Sequence, residues 1–536
     1  MTSGTMMSLP LTLDLLIDRA HDRAGDVEVV SRRPDRSVER TTYRNVVTRA
    51  RALARALVGA GIRPGARVAT LMWNHAEHLE AYFGIPLAGA VVHTLNLRLH
   101  PDEIAFIAND AKDEVLLVDE VLLPLYEKFA AKVDFAKVIV VGATTAPTDG
   151  RIDYRAFVDA ADPSTPLPRL AEDDACGCCY TSGTTGRPKG VVYTHRSTML
   201  HSLVTAMPDC FGLSRTDTLL PVVPMFHVNA WGLPYTAAMV GTKLVLPGPY
   251  LDAPSLLDLM RDEGVTLAAG VPTIWLSIRD ALEAERTRWP LKPNVRMIVG
   301  GSAAPEQLIR DFDRLGLELI HAWGMTETSP LGLVSRVPPE LVDAPEAERL
   351  AVRAKQGVPP PLVDVRVRND AGDVPHDGRT SGEILIRAPW VTARYAGIDV
   401  PERWTADGYF RTGDVANIDA HGYVQLTDRT ADLIKSGGEW IASAELENAL
   451  MCHPAIREAA VIGVPHPKWS ERPIAVVVFR AGQQATDDEL RGFLAEKFPK
   501  YWLPDAFVAT DEIPRTSAGK FKKTALREQF KDHRWG

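Results

Sequence analysis

Cysteine is scarce in this 536-residue chain, and its five copies suit neither of their usual structural uses. Cys176, Cys178 and Cys179 crowd into one apolar run, with Cys210 and Cys452 far apart. An odd count so placed is not a disulfide framework. The spacing lacks Cys-x-x-Cys and no second cluster completes a tetrahedral set, so the three read as small packed hydrophobes. No uninterrupted apolar run is long enough to span a bilayer. The stretch Leu9–Ile17 is broken by Pro10 and Asp14 and lacks a cationic start, so it is not read as a signal peptide, and a cytoplasmic protein is expected. No basic run tracks a phosphate backbone, and the net charge is −9, so nucleic acid is not an expected partner. Internal repeats and low-complexity tracts are also missing. What remains is an ordinary globular composition, 46% hydrophobic and 24% charged, in a chain too long for one core.

Helix and strand patterns alternate through most of the chain. Thr42 to Leu57 and Ala76 to Ala88 read as helices. Arg67–Met72, Glu114–Val118, Lys137–Val141, Thr242–Leu246, Val265–Ala269 and Val295–Val299 read as buried strands. Such alternation implies layered α/β structure with largely parallel sheets. From Pro359 to Leu426, short β-like runs separated by Gly, Pro and Asp predict a small twisted sheet or distorted β-barrel. The last hundred or so residues form a separate α+β pattern of ordinary domain size. The expected division is 1–428 and 429–536.

The richest segment is Tyr180-Thr-Ser-Gly-Thr-Thr-Gly-Arg-Pro-Lys-Gly190. Three glycines free backbone N–H groups to face an anion, the hydroxyls of Thr181, Ser182, Thr184 and Thr185 add donors, and Lys189 supplies charge. A polar surface turn is the plainer alternative, but this density of donors favours a polyphosphate cradle. The segment is not a Walker A sequence, which disfavours a Walker-type ATPase.

Three further segments carry polar groups with chemical uses. His321-Ala-Trp-Gly-Met-Thr-Glu-Thr328 follows the apolar run Leu317–Ile320 and so stands at a strand end, where open α/β sheets bind ligands. There Glu327 offers a hard oxygen to Mg²⁺, Thr326 a hydroxyl to phosphate and Trp323 a flat face to a base. Tyr409-Phe-Arg-Thr-Gly-Asp414, with Arg429 after it, offers partners for ribose hydroxyls. Pro514-Arg-Thr-Ser-Ala-Gly-Lys-Phe521 sets Lys520 in a glycine turn near the end of the chain. Each charge taken singly reads as a solvated surface group.

In this order and spacing the four segments resemble the acyl-adenylate-forming superfamily of acyl-CoA synthetases, luciferases and adenylation domains. The likeness runs from about Thr42 to Arg527 and is strongest to bacterial medium- and long-chain fatty-acyl-CoA synthetases, through Val223-Pro-Met-Phe-His-Val-Asn-Ala-Trp-Gly-Leu-Pro-Tyr235 and Lys435-Ser-Gly-Gly-Glu-Trp-Ile441. It implies a ligase that joins a carboxylic acid to ATP as an acyl-adenylate, then passes the acyl group to coenzyme A. By the same likeness Thr184 and Glu327 hold Mg²⁺, and Lys520 bridges the carboxylate and the α-phosphate. Thr181, Ser182, Gly183, Thr184, Thr185 and Lys189 cradle phosphates. Gly301, Ser302, Ala303, Trp323, Gly324, Met325 and Thr326 border the nucleotide. Asp414 and Arg429 take the ribose, and Lys435 and Trp440 add contacts. Gly437, Gly438 and Glu439 meet coenzyme A. A small mobile C-terminal domain is implied, hinged at a position often held by Lys or Asp and here by Ala431, a departure expected to shift the balance of the half-reactions. Relatives include homodimers.

The acid site is implied to involve His227, Val228, Trp231, Gly232, Val271, Gly300 and Gly324. These are apolar or small apart from His227, and no Asp is at hand to pair an α-ammonium, which suits an acyl chain. His227 either faces the reacting carboxylate or packs structurally beside Phe226. Trp231 resembles a tryptophan that gates the acyl tunnel in relatives, the alternative being an ordinary core side chain. A ligase for a short or functionalised acid, such as a methylthio-alkanoate or aryl acid, is the nearest competing expectation, and a non-catalytic nucleotide- or acyl-binding relative the next.

Overall fold

The computed structural model describes residues 4–181, 187–429, 432–436, 439–516, 520–531, 533 and 535, without the side chains of Glu439 and Trp440. Among these residues four sheets form. One runs in the order 333–334, 318–323, 296–299, 267–270, 218–221, 243–246, 28–32, 38–42. Its interior pairs are parallel, and an antiparallel strand closes each edge. A second sheet runs 152–153, 137–141, 113–119, 67–71, 91–94, 175–180, 190–194, parallel until its last pair. Helices pack these sheets, as the alternating pattern requires.

Local chemistry sets the boundaries. The helix Tyr43–Gly59 begins where the Thr42 side chain accepts from the Asn45 backbone N–H. The strand Lys137–Val141 is a β-branched run. The helix His195–Ala206 starts where Thr194 and Ser197 cap it reciprocally. The helix Ala76–Leu87 is buried on nearly every face and shares one core with Tyr43, Val46, Trp231 and Tyr235. That core therefore also supports the segment carrying Val228 and Trp231. Cys176, Cys178 and Cys179 are buried and free. No three potential metal ligands cluster among the described residues.

Residues 364–429 form the third sheet, five antiparallel strands ordered 372–373, 364–369, 382–387, 410–418, 424–429. The C-terminal sheet holds Ile456–His466 and Ser470–Phe479 as a long antiparallel pair, with Ala506–Ala509 parallel to the second. It has its own cores, built on Leu446, Val461 and Val477 on one face and Ile462, Val476 and Leu526 on the other. A large N-terminal sheet region and a smaller C-terminal domain are thus distinct. They meet where the Asp428 carboxylate accepts from the backbone N–H and hydroxyl of Ser443 (2.5 and 2.7 Å), at the start of the helix Ser443–Met451.

Candidate active site

The strands 175–180 and 190–194, which flank the donor-rich segment in sequence, are antiparallel neighbours. The base of that segment is closed by Thr181, whose N–H donates to the Lys189 carbonyl (3.0 Å) and whose hydroxyl accepts from the Lys189 N–H (3.1 Å). Ser182, Gly183, Thr184 and Thr185 lie outside the described residues. Lys189 Nζ stands 5.0 Å from the centre of the Tyr395 ring.

Glu327 sits in a short turn, Thr326–Thr328, just beyond the strand Glu318–Trp323. It is only 6% exposed, and its Oε1 accepts a hydrogen bond from the Tyr395 hydroxyl (2.7 Å). Burial, and then the Glu327 carboxylate, push the Tyr395 hydroxyl well above its ordinary range, so it remains a donor. Tyr193 fixes the same turn by donating to the Thr326 carbonyl (2.9 Å). Asp414, also buried, accepts from Trp323 Nε1 (2.9 Å) and pairs with Arg429 Nε (3.3 Å), its partner across the sheet. Trp323 is therefore held in place through its indole N–H while its ring edges the cavity.

A cavity of about 430 Å³ gathers these groups. Its polar end holds Thr181, Lys189, Thr326, Glu327, Asp414 and Arg429. Trp323, Gly324, Met325 and Gly301 border it, while His227, Val228, Trp231 and Gly300 carry the wall toward apolar Leu331 and Phe211. Lys520 lines this cavity and an adjoining one of about 210 Å³, which takes in Ser302 and Ala303. The Lys520 backbone is tied to Thr516, whose N–H donates to the Lys520 carbonyl and whose hydroxyl accepts from the Lys520 N–H, and its side chain comes from the C-terminal domain. Burial, and then Arg429, lower the Lys520 pKa to about 8, while Asp414 and Glu327 act in the opposite sense. His227 is lowered to about 4 by burial, then by Lys520 and Arg98, so it is neutral near pH 7.

The apolar wall has an unusual backbone. Val228, Asn229, Ala230 and Trp231 have φ of 45, 53, 48 and 59°, followed by Gly232 at 70°. This is one turn of left-handed helix in non-glycine residues, costing roughly 1–2 kcal/mol per residue. Burial of all four offsets it, and the Asn229 side-chain oxygen accepts from the Tyr82 hydroxyl and Cys179 Sγ, both at 3.3 Å. The Trp231 ring lies so close to Gly300 that a Cβ there would meet it at 3.1 Å. Glycine at 300 is what admits the indole.

Three residues expected at the site are not among those lining either cavity. Gly232 packs under the His201 ring, where a Cβ would meet it at 2.8 Å, so it supports the wall rather than forming it. Val271 precedes the helix Pro272–Ala284 and touches the Gly301 position from behind the cavity surface. Lys435 is exposed on the C-terminal sheet, its backbone N–H held by Glu471 (3.0 Å), away from both cavities in this domain arrangement. Ala431, Gly437 and Gly438 lie outside the described residues, as do the side chains of Glu439 and Trp440. The sequence reading missed Tyr395, Arg403, His201 and Phe211, all of which line the larger cavity. None lies in the four segments that combine hydroxyls, glycines and charge in the pattern described above.

Comparison with known proteins gives a consistent result. Residues 17–396 match the AMP-binding enzyme family, and residues 445–520 match the AMP-binding enzyme C-terminal domain. The chain is 52% identical to a long-chain-fatty-acid--CoA ligase of Thermus thermophilus over 89% of its own length and 87% of the relative's. It is 42% identical to a 3-methylmercaptopropionyl-CoA ligase of Ruegeria pomeroyi over 99% of both chains. The solved anthranilate CoA ligase AuaEII, in complex with anthranoyl-AMP, shares the fold with a TM-score of 0.86 at 24% identity, covering 98% of this chain and 99% of the other.

Proposed function

The chain belongs to the AMP-binding enzyme family, and from that membership we propose that it is an ATP-dependent fatty-acid:CoA ligase for medium- to long-chain acids. The observation carrying this reading is one cavity whose charged end, with Glu327, Asp414, Arg429 and Lys520, is continuous with an apolar wall at Val228, Trp231 and Leu331. An acid must be brought against the α-phosphorus of ATP, anion against anion, so the chain must supply positive charge where they meet. Lys520 does this, reaching the carboxylate and the α-phosphate together. Asp414 and Arg429 take the ribose hydroxyls, and Gly301, Ser302, Ala303 and Trp323 border the adenine. The donor-rich segment from Thr181 to Lys189, with Ser182, Gly183, Thr184 and Thr185, cradles the outer phosphates. Neutral His227 orients the acid without adding charge.

The donor set fits Mg²⁺, which is commonly bound by one or two carboxylates together with substrate phosphates and water. Glu327 is a buried carboxylate at the charged end, and among the described residues no hydrogen bond reaches its Oε2. Thr184 would complete the protein's share. The ion would supply charge neutralisation at the phosphates, while Tyr395 keeps the Glu327 carboxylate oriented.

For the second half-reaction the proposal extends to a division at 428/429. The smaller domain rotates about Ala431, withdrawing Lys520 and bringing Lys435, Gly437, Gly438, Glu439 and Trp440 toward the nucleotide and coenzyme A. A homodimer and a cytoplasmic location are proposed from the same family likeness. No helix of the described residues is long and apolar enough to cross a membrane.

One observation favours a second reading: the match to the 3-methylmercaptopropionyl-CoA ligase spans 99% of both chains. A panel of straight-chain acids of increasing length, run beside 3-methylmercaptopropionate with AMP release as readout, separates the two. For a fatty-acid ligase kcat/KM rises by about fourfold per methylene, the equivalent of ~0.8 kcal/mol, until the wall is filled. A maximum at 3-methylmercaptopropionate, falling with length, establishes the second reading. Trp231→Ala tests the proposed gate: the rise with chain length should flatten by several-fold, because the indole against Gly300 is the wall it removes. Unchanged length dependence would reduce Trp231 to a core side chain.

A further inference from the structure

The larger cavity is lined by two arginines that the two-step scheme leaves unused, Arg187, whose guanidinium carbon lies 5.4 Å from the centre of the Phe106 ring, and Arg403. Arg403 ends a short turn, Pro401–Arg403, and its side chain enters the charged end of the cavity from the five-stranded sheet. Its guanidinium carbon lies 5.1 Å from the centre of the Phe410 ring, and its Nη2 reaches the Thr412 carbonyl only at 3.5 Å. Its Nε is buried and without a hydrogen-bond partner, and among the described residues no carboxylate pairs with it. A buried guanidinium N–H left without an acceptor is costly unless an anion arrives. Arg429, by contrast, is already paired with Asp414.

Its neighbours locate that anion. Tyr395 joins three groups: its hydroxyl donates to Glu327, its ring faces Lys189, and that ring lies 6.5 Å from the Phe410 ring on which Arg403 packs. Arg403 thus stands on the same cavity wall as Lys189 and Glu327. A Cβ on Gly413 would stand 3.7 Å from Nη1, so Arg403 passes beside this glycine, and among the described residues its pairs do not include Asp414, which is taken by Arg429. We propose that Arg403 binds the pyrophosphoryl end of ATP, forking onto β- or γ-phosphate oxygens and then onto released pyrophosphate. A guanidinium matches two such oxygens at once, which a lysine cannot do. The reaction leaves the bridging oxygen and its electron pair on pyrophosphate, so the anion held by Arg403 gains charge as the α-phosphorus transfers to the acid.

This inference rests on the ligase reading above, and binding measurements keep the two apart. Calorimetric titrations of the full chain with Mg·ATP, Mg·pyrophosphate and AMP are made for wild type, Arg403→Gln and Arg403→Lys. Arg403→Gln should weaken Mg·ATP and Mg·pyrophosphate by about tenfold or more and leave AMP within about twofold, with Arg403→Lys intermediate, as expected for loss of a charge-assisted fork. Equal weakening of all three ligands, or none, overturns the assignment. Arg403→Lys keeps the charge and the packing on Phe410, so it supplies the comparison should Arg403→Gln fold poorly. Wild type that binds neither Mg·ATP nor AMP overturns the ligase reading itself.

Discussion

Replacing Lys520 with alanine is expected to cut acid-dependent exchange of labelled pyrophosphate into ATP by roughly a hundredfold to a thousandfold, the scale of losing one preorganised charge contact to a transition state. Thioester formation from preformed acyl-adenylate should stay near the wild-type rate, because the proposed domain rotation withdraws Lys520 before that step. The contrast between the half-reactions is the informative part, since general damage would slow both. The lowered pKa of about 8 adds a pH signature. The charged form offsets the meeting anions, so kcat/KM for ATP in the adenylation step should fall as pH rises through about 8. Bound ATP favours the ammonium, so the same limb in kcat lies at higher pH. Lys520→Arg should lose the limb altogether, because a guanidinium keeps its proton. Exchange undiminished in Lys520→Ala, or an alkaline limb that persists in Lys520→Arg, would remove Lys520 from the chemistry.

The second large effect comes from a missing side chain. A Cβ at Gly324 would fall 1.4 Å from the Pro330 carbonyl oxygen and 2.5 Å from its carbonyl carbon. Both are backbone atoms, so no rotamer relieves the overlap, and Gly324→Ala must displace the chain around Pro330. That chain is fastened on both sides. Thr328 hydrogen-bonds the Met325 and Pro330 backbones, and the Leu331 N–H donates to His201 (3.4 Å). Displacing it also moves Glu327 and the Leu331 part of the cavity wall. The expected loss is about 3 kcal/mol or more in stability, in the upper range for single substitutions. ATP affinity should fall at least tenfold in whatever remains folded, an equivalent of ~1.4 kcal/mol. Denaturant melts with ATP titrations measure both. A Gly324→Ala variant matching wild type in midpoint and affinity would mean the two backbones do not approach so closely.

Gly324 also marks how far the sequence could be read. The segment His321–Thr328 stood out because it follows an apolar run and carries Trp, Thr and Glu together, and strand-end chemistry is local enough to be seen in one window. The same holds for the segment between Thr181 and Lys189 and for the long strands, whose β-branched runs leave little choice. What Gly324 avoids, by contrast, is set by a turn six residues on, and no periodicity encodes that. Tyr395 is farther still: it meets Glu327 across 68 residues of chain, from a loop whose composition is unremarkable. Arg403 reads as one more surface arginine until the sheet turns it inward. The left-handed turn was equally hidden. Valine, alanine and tryptophan have no preference for positive φ, and only Asn229 among the four is at ease there. Tertiary packing imposes that shape, through Tyr82 and Cys179 from distant elements.

That reversed turn bears on any attempt to retune the acid preference by mutation. Along Val228–Trp231 a replacement is judged twice, once by the substrate and once by a backbone that penalises most side chains, β-branched ones above all. Libraries concentrated there will be thinned by folding failure before selectivity is ever sampled. Phe211 and Leu331 face the same cavity from backbone without that burden. They are where changes of volume can translate directly into changes of substrate.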